Sequence, residues 1–304
     1  MWNLGGGHMS RSAILTICAI FWSYVSAAQT PVLPVDVQSV INQFKGQLYF
    51  SAKALKTGAV VVYRADEKVQ TASVIKVPIL VELFSQAKEN RLALEDVVAL
   101  TEANKVEGSG ILQNLGLGLK LTLRDVAVLM ITLSDNTASN MLIDKVGIAP
   151  VNERMRRIGL KETTLYKKVF KPAPETAPEE QKKWGLGVTT PNEMLALMEK
   201  IYRKEIVDPA GCEDMIAILK AQSDHDQIPR YLVGPAWEKV QVANKTGSLD
   251  QVRNDVGIVF TPNGDFILSL FAQESADRKW TADNEATVAL GRLSLALLNY
   301  LKTR

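Results

Sequence analysis

Strand-like periodicity occurs only near the two ends of this chain, and a long helical stretch separates the two groups of strands. Apolar residues mark strands at 47–54 and 59–64 in the first group, and at 240–245, 255–261 and 266–273 in the second. Amphipathic helices precede the first group and follow the second. The simplest fold that uses all five strands is one antiparallel sheet flanked by terminal helices, with the helical stretch packed beside it. The sequence therefore predicts an α+β fold.

This order of elements also predicts two domains. A chain of 304 residues is long for a single compact domain. The α/β sheet domain would be discontinuous, formed by residues 35–66 and 222–304, and residues 67–221 would form the all-helical domain. A substrate pocket is expected where two such domains meet.

The first 28 residues do not have the pattern of a folded domain. Arg11 precedes an apolar run at 13–25 and the small residues at 26–28. This pattern is typical of a secretory signal peptide, and the apolar run is short for a membrane-spanning helix. We expect residues 1–28 to be an upstream extension and a signal peptide, and the remaining chain to be exported, either periplasmic or secreted, without membrane attachment. Cys212 is the only cysteine that remains, so no internal disulfide is expected.

Composition excludes several classes of function. The chain is 47% hydrophobic and 22% charged with a net charge of +2, and it has no basic stripe, so no nucleic-acid partner is expected. His225 is the only histidine after residue 28. A Ser-His-Asp hydrolase would have to use this single histidine without a Gly-x-Ser-x-Gly motif. A zinc hydrolase needs more metal ligands than this chain has. We expect a monomer that needs no metal and no cofactor.

Three short motifs occur in a fixed order and together indicate a chemistry. They are the Ser-x-x-Lys pair of Ser73 and Lys76, then Ser-Asp-Asn at 134–136, then Lys-Thr-Gly at 245–247. Three residues along a helix bring Lys76 to the same face as Ser73. A serine needs such a neighbouring base before it can attack an acyl carbon at neutral pH. The set predicts serine-based acyl transfer without histidine.

Two of these motifs also occur a second time in the chain. Ser85 and Lys88 form another Ser-x-x-Lys, and residues 56–58 form another Lys-Thr-Gly. Ser85 falls inside the helix that Ser73 opens, and residues 56–58 are predicted to be the turn of a hairpin. We therefore assign both copies to structure and the ordered set to chemistry.

The chemistry suggests a role for each motif residue. Ser73 at the start of a buried helix is the nucleophile, and Lys76 is its base if burial or a neighbouring cation such as Lys245 lowers the pKa of Lys76. Ser134 can pass a proton to the leaving nitrogen, and the carboxamide of Asn136 can hold the substrate amide.

The residues of the Lys-Thr-Gly strand are expected to bind the substrate. The backbone N–H groups of Ser73 and Ser248 are candidates for an oxyanion hole. Gly247 is expected to let the substrate lie close along the strand. The predicted substrate-binding residues are Asn136, Lys245, Thr246, Gly247, Ser248 and Arg253.

The motif set resembles that of class A β-lactamases and penicillin-binding proteins. Thr189-Thr190-Pro191, and the residues 137–140 that follow the Ser-Asp-Asn motif, extend the resemblance over nearly the whole chain after residue 28. It implies a β-lactam, or a small molecule resembling a peptidoglycan peptide, as substrate. It also implies that Arg253 faces the substrate carboxylate from the strand beside Lys245.

One feature departs from the family pattern. The resemblance implies a glutamate in the loop before Thr189, in an Arg-x-Glu setting, which activates the water for deacylation. Counting forward from Gly159 places Val169 there, whereas counting back from Pro191 places Glu175 there. Lys167 to Val188 is predicted to be a long loop, and the acids it offers are Glu175, Glu179 and Glu180. Glu175 is the predicted catalytic acid of this loop.

The leading hypothesis is an exported class A-like β-lactamase, a serine hydrolase that acts on cyclic amides through a Ser73 acyl-enzyme. One alternative is a penicillin-binding D,D-peptidase-like serine hydrolase with slow deacylation. A second alternative is a non-catalytic β-lactam sensor that stays acylated. We expect the three to differ in how long the acyl group remains on Ser73.

Overall fold

The computed structural model describes Trp2, residues 33–176 and residues 178–304. The predicted upstream extension and signal peptide lie outside these ranges, apart from Trp2. Within them the strands are β1 (Gln47–Ala54), β2 (Val60–Tyr63), β3 (Val69–Gln70), β4 (Val97–Ala99), β5 (Lys120–Thr122), β6 (Thr164–Leu165), β7 (Gly187–Thr189), β8 (Gln241–Leu249), β9 (Val252–Phe260) and β10 (Phe266–Gln273).

Helices are the main regular structure of the region between β3 and β8. The α-helices of the described residues are α1 (Val35–Gln43), α2 (Lys76–Lys88), α3 (Leu123–Thr132), α4 (Asn136–Val146), α5 (Ile148–Arg157), α6 (Gln181–Trp184), α7 (Pro191–Tyr202), α8 (Pro209–Lys220) and α9 (Glu285–Leu301). Helices α7 and α8 are separate, because Asp208 caps a new helix that has Pro209 in its first turn.

The central sheet has five strands in the order β2-β1-β10-β9-β8. Each neighbouring pair is antiparallel, with Gln47 opposite Gln273 at one end of the β1–β10 pair. This confirms the predicted α+β fold. Residues 55–57 form the turn between β1 and β2, one residue earlier than the turn predicted at 56–58 for the second Lys-Thr-Gly.

Strand β10 illustrates how the sheet is covered on both faces. All of its residues are buried. Ile267 and Phe271 belong to the core shared with the helical region, whereas Leu268 and Leu270 belong to the core that contains α1 and α9. Because successive side chains of a strand point to opposite faces, one strand contributes to both cores.

The two cores place the terminal helices and the helical region on opposite faces of the sheet. Helix α9 packs on α1 and on β1, β9 and β10, while α7 packs on β1, β9 and β10, and α8 on β8. Residues 33–304 form one compact unit. The division at residues 66 and 221 into two domains stays a prediction.

Local signals explain where several helices begin. Thr122 and Asp125 form a capping box at the start of α3, in which the hydroxyl of Thr122 accepts from the N–H of Asp125. Thr190 caps α7 ahead of Pro191. Gly147 and Gly159, which follow α4 and α5, have φ values of 84° and 93°. No helix in residues 33–176 or 178–304 is long and apolar enough to cross a membrane.

Candidate active site

Ser73 lies where a short 3₁₀ helix, Ala72–Ile75, leads directly into α2. The backbone before it is held from two sides. The N–H of Thr71 donates to the carbonyl of Gly187 at 3.1 Å. The side chain of Asn254 donates to the carbonyls of Gln70 and Thr71 at 2.9 and 3.1 Å. Strands β7 and β9 therefore position Ser73.

Gly247 of β8 lies directly against this helix start. A Cβ atom added to Gly247 would lie 2.8 Å from the carbonyl oxygen of Thr71 and 3.0 Å from the nitrogen of Ser73. Real Cβ contacts are longer, so only glycine lets the strand approach this closely. The sequence argument expected Gly247 to leave room for the substrate, which stays a prediction, and the structure adds that Gly247 lets β8 lie against the segment that carries Ser73.

Lys76 is fully buried and connects the first two motifs. Its Nζ donates to the carbonyl and to the Oγ of Ser134, at 2.6 and 3.1 Å, and to Oδ1 of Asn136 at 3.1 Å. The pKa of Lys76 is well below its usual value, first because of burial and then because of the positive charge of Lys245, while Asp135 acts in the opposite direction. A lowered pKa favours the neutral amine that a base requires.

The Ser-Asp-Asn loop is fixed by Asp135. Its Oδ2 accepts from the N–H groups of Ile111 and Leu112 at 2.7 and 2.9 Å, and its Oδ1 caps α4 by accepting from Ala138. Gly110 passes so close to Asp135 that an added Cβ would meet the carboxyl group. Asp135 therefore tethers residues 110–112 to the loop and keeps Ser134 in place.

Three residues around the site adopt left-handed backbone conformations that are rare for residues other than glycine. Ala72, Ser134 and Phe170 have φ values of 45°, 52° and 52°. Conformations of this kind cost on the order of 1–3 kcal/mol each and cluster at functional sites. All three residues line the same cleft.

That cleft has a volume of about 1080 Å³. Of the predicted site residues, six line it: Ser73, Ser134, Asn136, Thr246, Gly247 and Ser248. Lys76 and Lys245 are fully buried and do not line the cleft. The sequence argument did not identify the aromatic and acidic residues that also line the cleft, namely Phe170, Trp184, Trp280, Asp224 and Asp250.

Lys245 lies on β8, and its Nζ donates to the carbonyl of Thr246 at 2.9 Å. Burial lowers its pKa to about 8, and the carboxylates of Asp224 and Asp255 oppose this shift. Asp255 is itself buried beside it, where burial raises its pKa to about 7. Lys245 therefore keeps its positive charge at neutral pH.

Arg253 lies on β9, the strand beside Lys245, as the sequence suggested, but its guanidinium is bonded to the backbone. Its guanidinium donates to the backbone carbonyls of Leu249, Val252 and Lys279, and it stacks on the ring of Trp280 at 4.8 Å. It is not among the residues that line the cleft. In this arrangement Arg253 joins the β8–β9 turn to the segment around Lys279 through three hydrogen bonds to backbone carbonyls.

Val169, and not Glu175, occupies the cleft. Val169 is buried and lines the cleft, whereas Glu175 is exposed and does not. The other two acids of the loop are paired on the surface, Glu179 with Lys182 and Glu180 with Tyr166. The structure therefore supports the forward count from Gly159, and Glu175 is not placed to activate a water at Ser73.

The described residues contain no group of three or more His, Cys, Asp or Glu side chains that could hold a metal ion. What the site offers is a half-buried serine, a buried amine, a second serine within hydrogen-bond distance of that amine, and backbone donors at a helix start. This set can transfer an acyl group to Ser73.

Comparisons with known proteins identify the family. The model of a family described as the β-lactamase enzyme family matches residues 33–301. The chain belongs to this family. A β-lactamase from Rhodobacter capsulatus is 23% identical over 294 residues, which cover 95% of this chain and 97% of that protein. A β-lactamase from Bacillus licheniformis is 26% identical over 249 residues, covering 80% and 76%.

Solved structures of β-lactamase-like proteins have the same fold. A β-lactamase from Sphaerobacter thermophilus superposes with a TM-score of 0.77 and 29% identity, covering 88% of this chain and 95% of that one. PBP-A superposes with a TM-score of 0.76 and 25% identity over the same shares. A substituted form of PBP-A, 26% identical to this chain, was solved as an acyl-enzyme complex with penicillin G.

Proposed function

We propose that this member of the β-lactamase family opens β-lactam rings through an acyl-enzyme on Ser73 and releases the acyl group slowly. The identity of residue 169, a valine, supports the proposed slow release of the acyl group. A side chain without a proton acceptor occupies the point of the cleft where the family resemblance implies a glutamate. A positioned general base contributes about 10²- to 10⁴-fold to such a step.

In the proposed acylation, neutral Lys76 takes the proton of Ser73, whose Oγ attacks the lactam carbonyl carbon. The N–H groups of Ser73 and Ser248 stabilise the oxyanion. The C–N bond then breaks, Ser134 gives its proton to the leaving nitrogen, and the ammonium of Lys76 returns one to Ser134. The 3.1 Å contact between Nζ of Lys76 and Oγ of Ser134 supports this last transfer.

Deacylation needs water and a second proton acceptor. In this proposal the carboxylate is absent at residue 169, so water attacks the ester of Ser73 slowly. We propose an exported, monomeric enzyme that uses serine chemistry and forms an acyl-enzyme. A D,D-peptidase-like activity is the second candidate, and it is favoured by Val169 together with the likeness to PBP-A.

Rapid kinetics with penicillin G test the proposal. We expect one equivalent of ring opening in a fast phase, followed by a much slower steady rate. A linear time course without a fast phase would contradict slow deacylation. The absence of any ring opening, with no adduct formed, would contradict the proposed acylation.

A further inference from the structure

The charged side chains that line the cleft are mostly acidic. Among the described residues, they are Lys167, Asp224 and Asp250. The two lysines of the motifs, Lys76 and Lys245, are less accessible to a substrate in the cleft, because both are enclosed. Arg253 already donates to three backbone carbonyls. Lys167 belongs to the loop of Val169, whereas Asp224 follows Ser223, which is bonded to Thr132, so on the side of Ser134 the cleft presents an acid.

The loop that carries Asp224 is fixed next to Ser134 and Lys245. On one side Ser223 is bonded to the carbonyl of Thr132, which lies just before the Ser-Asp-Asn loop. Ser223 donates from its N–H at 3.1 Å and from its Oγ at 2.7 Å. On the other side the N–H of Ile228 donates to Asp255 of β9 at 2.9 Å. The loop is therefore held between the end of α3 and the sheet.

The carboxyl group of Asp224 is half-buried and only partly satisfied. Its Oδ1 accepts from the N–H of Asp226 at 3.1 Å, and its Oδ2 has no hydrogen bond within residues 33–176 and 178–304. Asp224 is also close enough to Lys245 to oppose the fall of that lysine's pKa. Part of the positive charge of Lys245 is thus already compensated.

We propose that Asp224 determines specificity, by favouring substrates whose leaving group carries a positive charge near the reacting bond over substrates that carry a carboxylate there. This inference rests on the proposed function, in which the leaving group is next to Ser134. The natural substrate class would be an amide or peptide with an amino group on the leaving side. Attraction to Asp224 stabilises such a group, whereas a carboxylate is repelled.

Three thioesters of one N-acylglycine test this inference. Their leaving groups are thiocholine, the neutral tert-butyl isostere of thiocholine, and mercaptopropionate. In each reaction Ser73 takes the acyl group and the thiolate leaves, and the released thiol is measured. At about pH 6.5 Lys245, whose pKa is about 8, remains protonated. We expect the second-order acylation constant to fall from the cationic to the neutral to the anionic thioester.

Asp224→Asn should reduce the preference for the cationic over the anionic thioester by about fivefold, the effect expected for a partly exposed charge. The asparagine keeps an Oδ1 that accepts from Asp226, so the loop should retain its shape and the melting temperature should be unchanged. Asp226→Asn is the matched control, because Asp226 is exposed, lies 3.8 Å from Arg230 and does not line the cleft. It should leave the preference unchanged.

The outcomes separate this inference from the proposed function. Acylation of Ser73 with the same charge preference in the wild type and in Asp224→Asn would overturn the role of Asp224 alone. An equal change in Asp226→Asn would also overturn it, because the effect would then come from general surface charge. Failure of all three thioesters to acylate Ser73 would overturn the proposed function and this inference with it.

Discussion

The side-chain amide of Asn140 binds the backbone of Val169 through two hydrogen bonds. The N–H of Val169 donates to Oδ1 of Asn140 at 2.8 Å, and Nδ2 of Asn140 donates to the carbonyl of Val169 at 3.0 Å. Both groups are buried. This pair fixes residue 169 at the cleft whatever its side chain is, so the chemistry at this point depends on that side chain alone.

Replacing Val169 by glutamate should therefore add a base to a backbone that is already in place. We expect Val169→Glu to accelerate deacylation of the penicillin adduct by about 10²-fold or more, within the range for a positioned general base. The decay of the adduct measures this rate. Val169→Gln is the matched control, because it has nearly the same shape and cannot accept the proton. Equal acceleration by both variants would show that space and not proton transfer limits the step.

The exposed acid of the same loop should have no part in the reaction. Glu175 is exposed and does not line the cleft. Glu175→Gln should leave the acylation and deacylation rates of penicillin within about twofold of the wild type, since surface substitutions of this kind have small effects. Accumulation of acyl-enzyme in this variant, relative to the wild type, would mean that the loop folds inward during turnover.

The acylation rate should depend on pH through two lysines. The pKa of Lys76 is lowered, so the rate rises as this amine loses its proton, and burial sets the pKa of Lys245 at about 8. Above about pH 8 Lys245 loses its charge and its attraction for the penicillin carboxylate, so the acylation rate should fall.

Lys245→Arg tests which residue causes this fall. Arginine keeps its charge throughout this range. The falling limb should therefore move to higher pH in Lys245→Arg, as followed by acylation rates between about pH 5 and pH 10. A falling limb that remains near pH 8 in this variant would assign it to another group.

Arg253 should matter for stability more than for binding. Arg253→Ala removes a buried guanidinium from the carbonyls of Leu249, Val252 and Lys279. Loss of hydrogen bonds to a charged group costs about 1.5–3 kcal/mol, so thermal unfolding should show a clearly lower melting temperature. Lys56→Ala, in the exposed turn of the first hairpin, is the control and should have no effect. An unchanged melting temperature with weakened penicillin binding would favour the direct carboxylate contact.

The sequence predicted those parts of the fold in which the periodic pattern is long. Strands β1 and β10 begin and end at the predicted residues, because each has an uninterrupted apolar pattern and a turn at its ends. Strands β3, β6 and β7 were not predicted. They are two or three residues long, too short to show a period, although they hold the segments around Ser73 and Val169.

The motif residues were predictable because their chemistry depends on residue type and spacing, while their surroundings depend on tertiary contacts. The pairing of Arg253 with Lys279, and the approach of Gly247 to Thr71, both join segments far apart in the chain. The forward and backward counts through the loop disagreed because its length alone does not fix which residue enters the cleft. The contact between Asn140 and Val169 decides it, and spacing along the chain does not show that contact.

The lifetime of the penicillin adduct tests the central claim most directly. Mass spectrometry after a short pulse of penicillin should detect one adduct on Ser73, which decays slowly in the wild type and faster in Val169→Glu. Ser73→Ala should form no adduct, whereas Ser85→Ala, which removes a buried hydroxyl without a hydrogen-bond partner, should behave as the wild type. An adduct that survives in Ser73→Ala, or a wild-type adduct that disappears as fast as in Val169→Glu, would contradict the account.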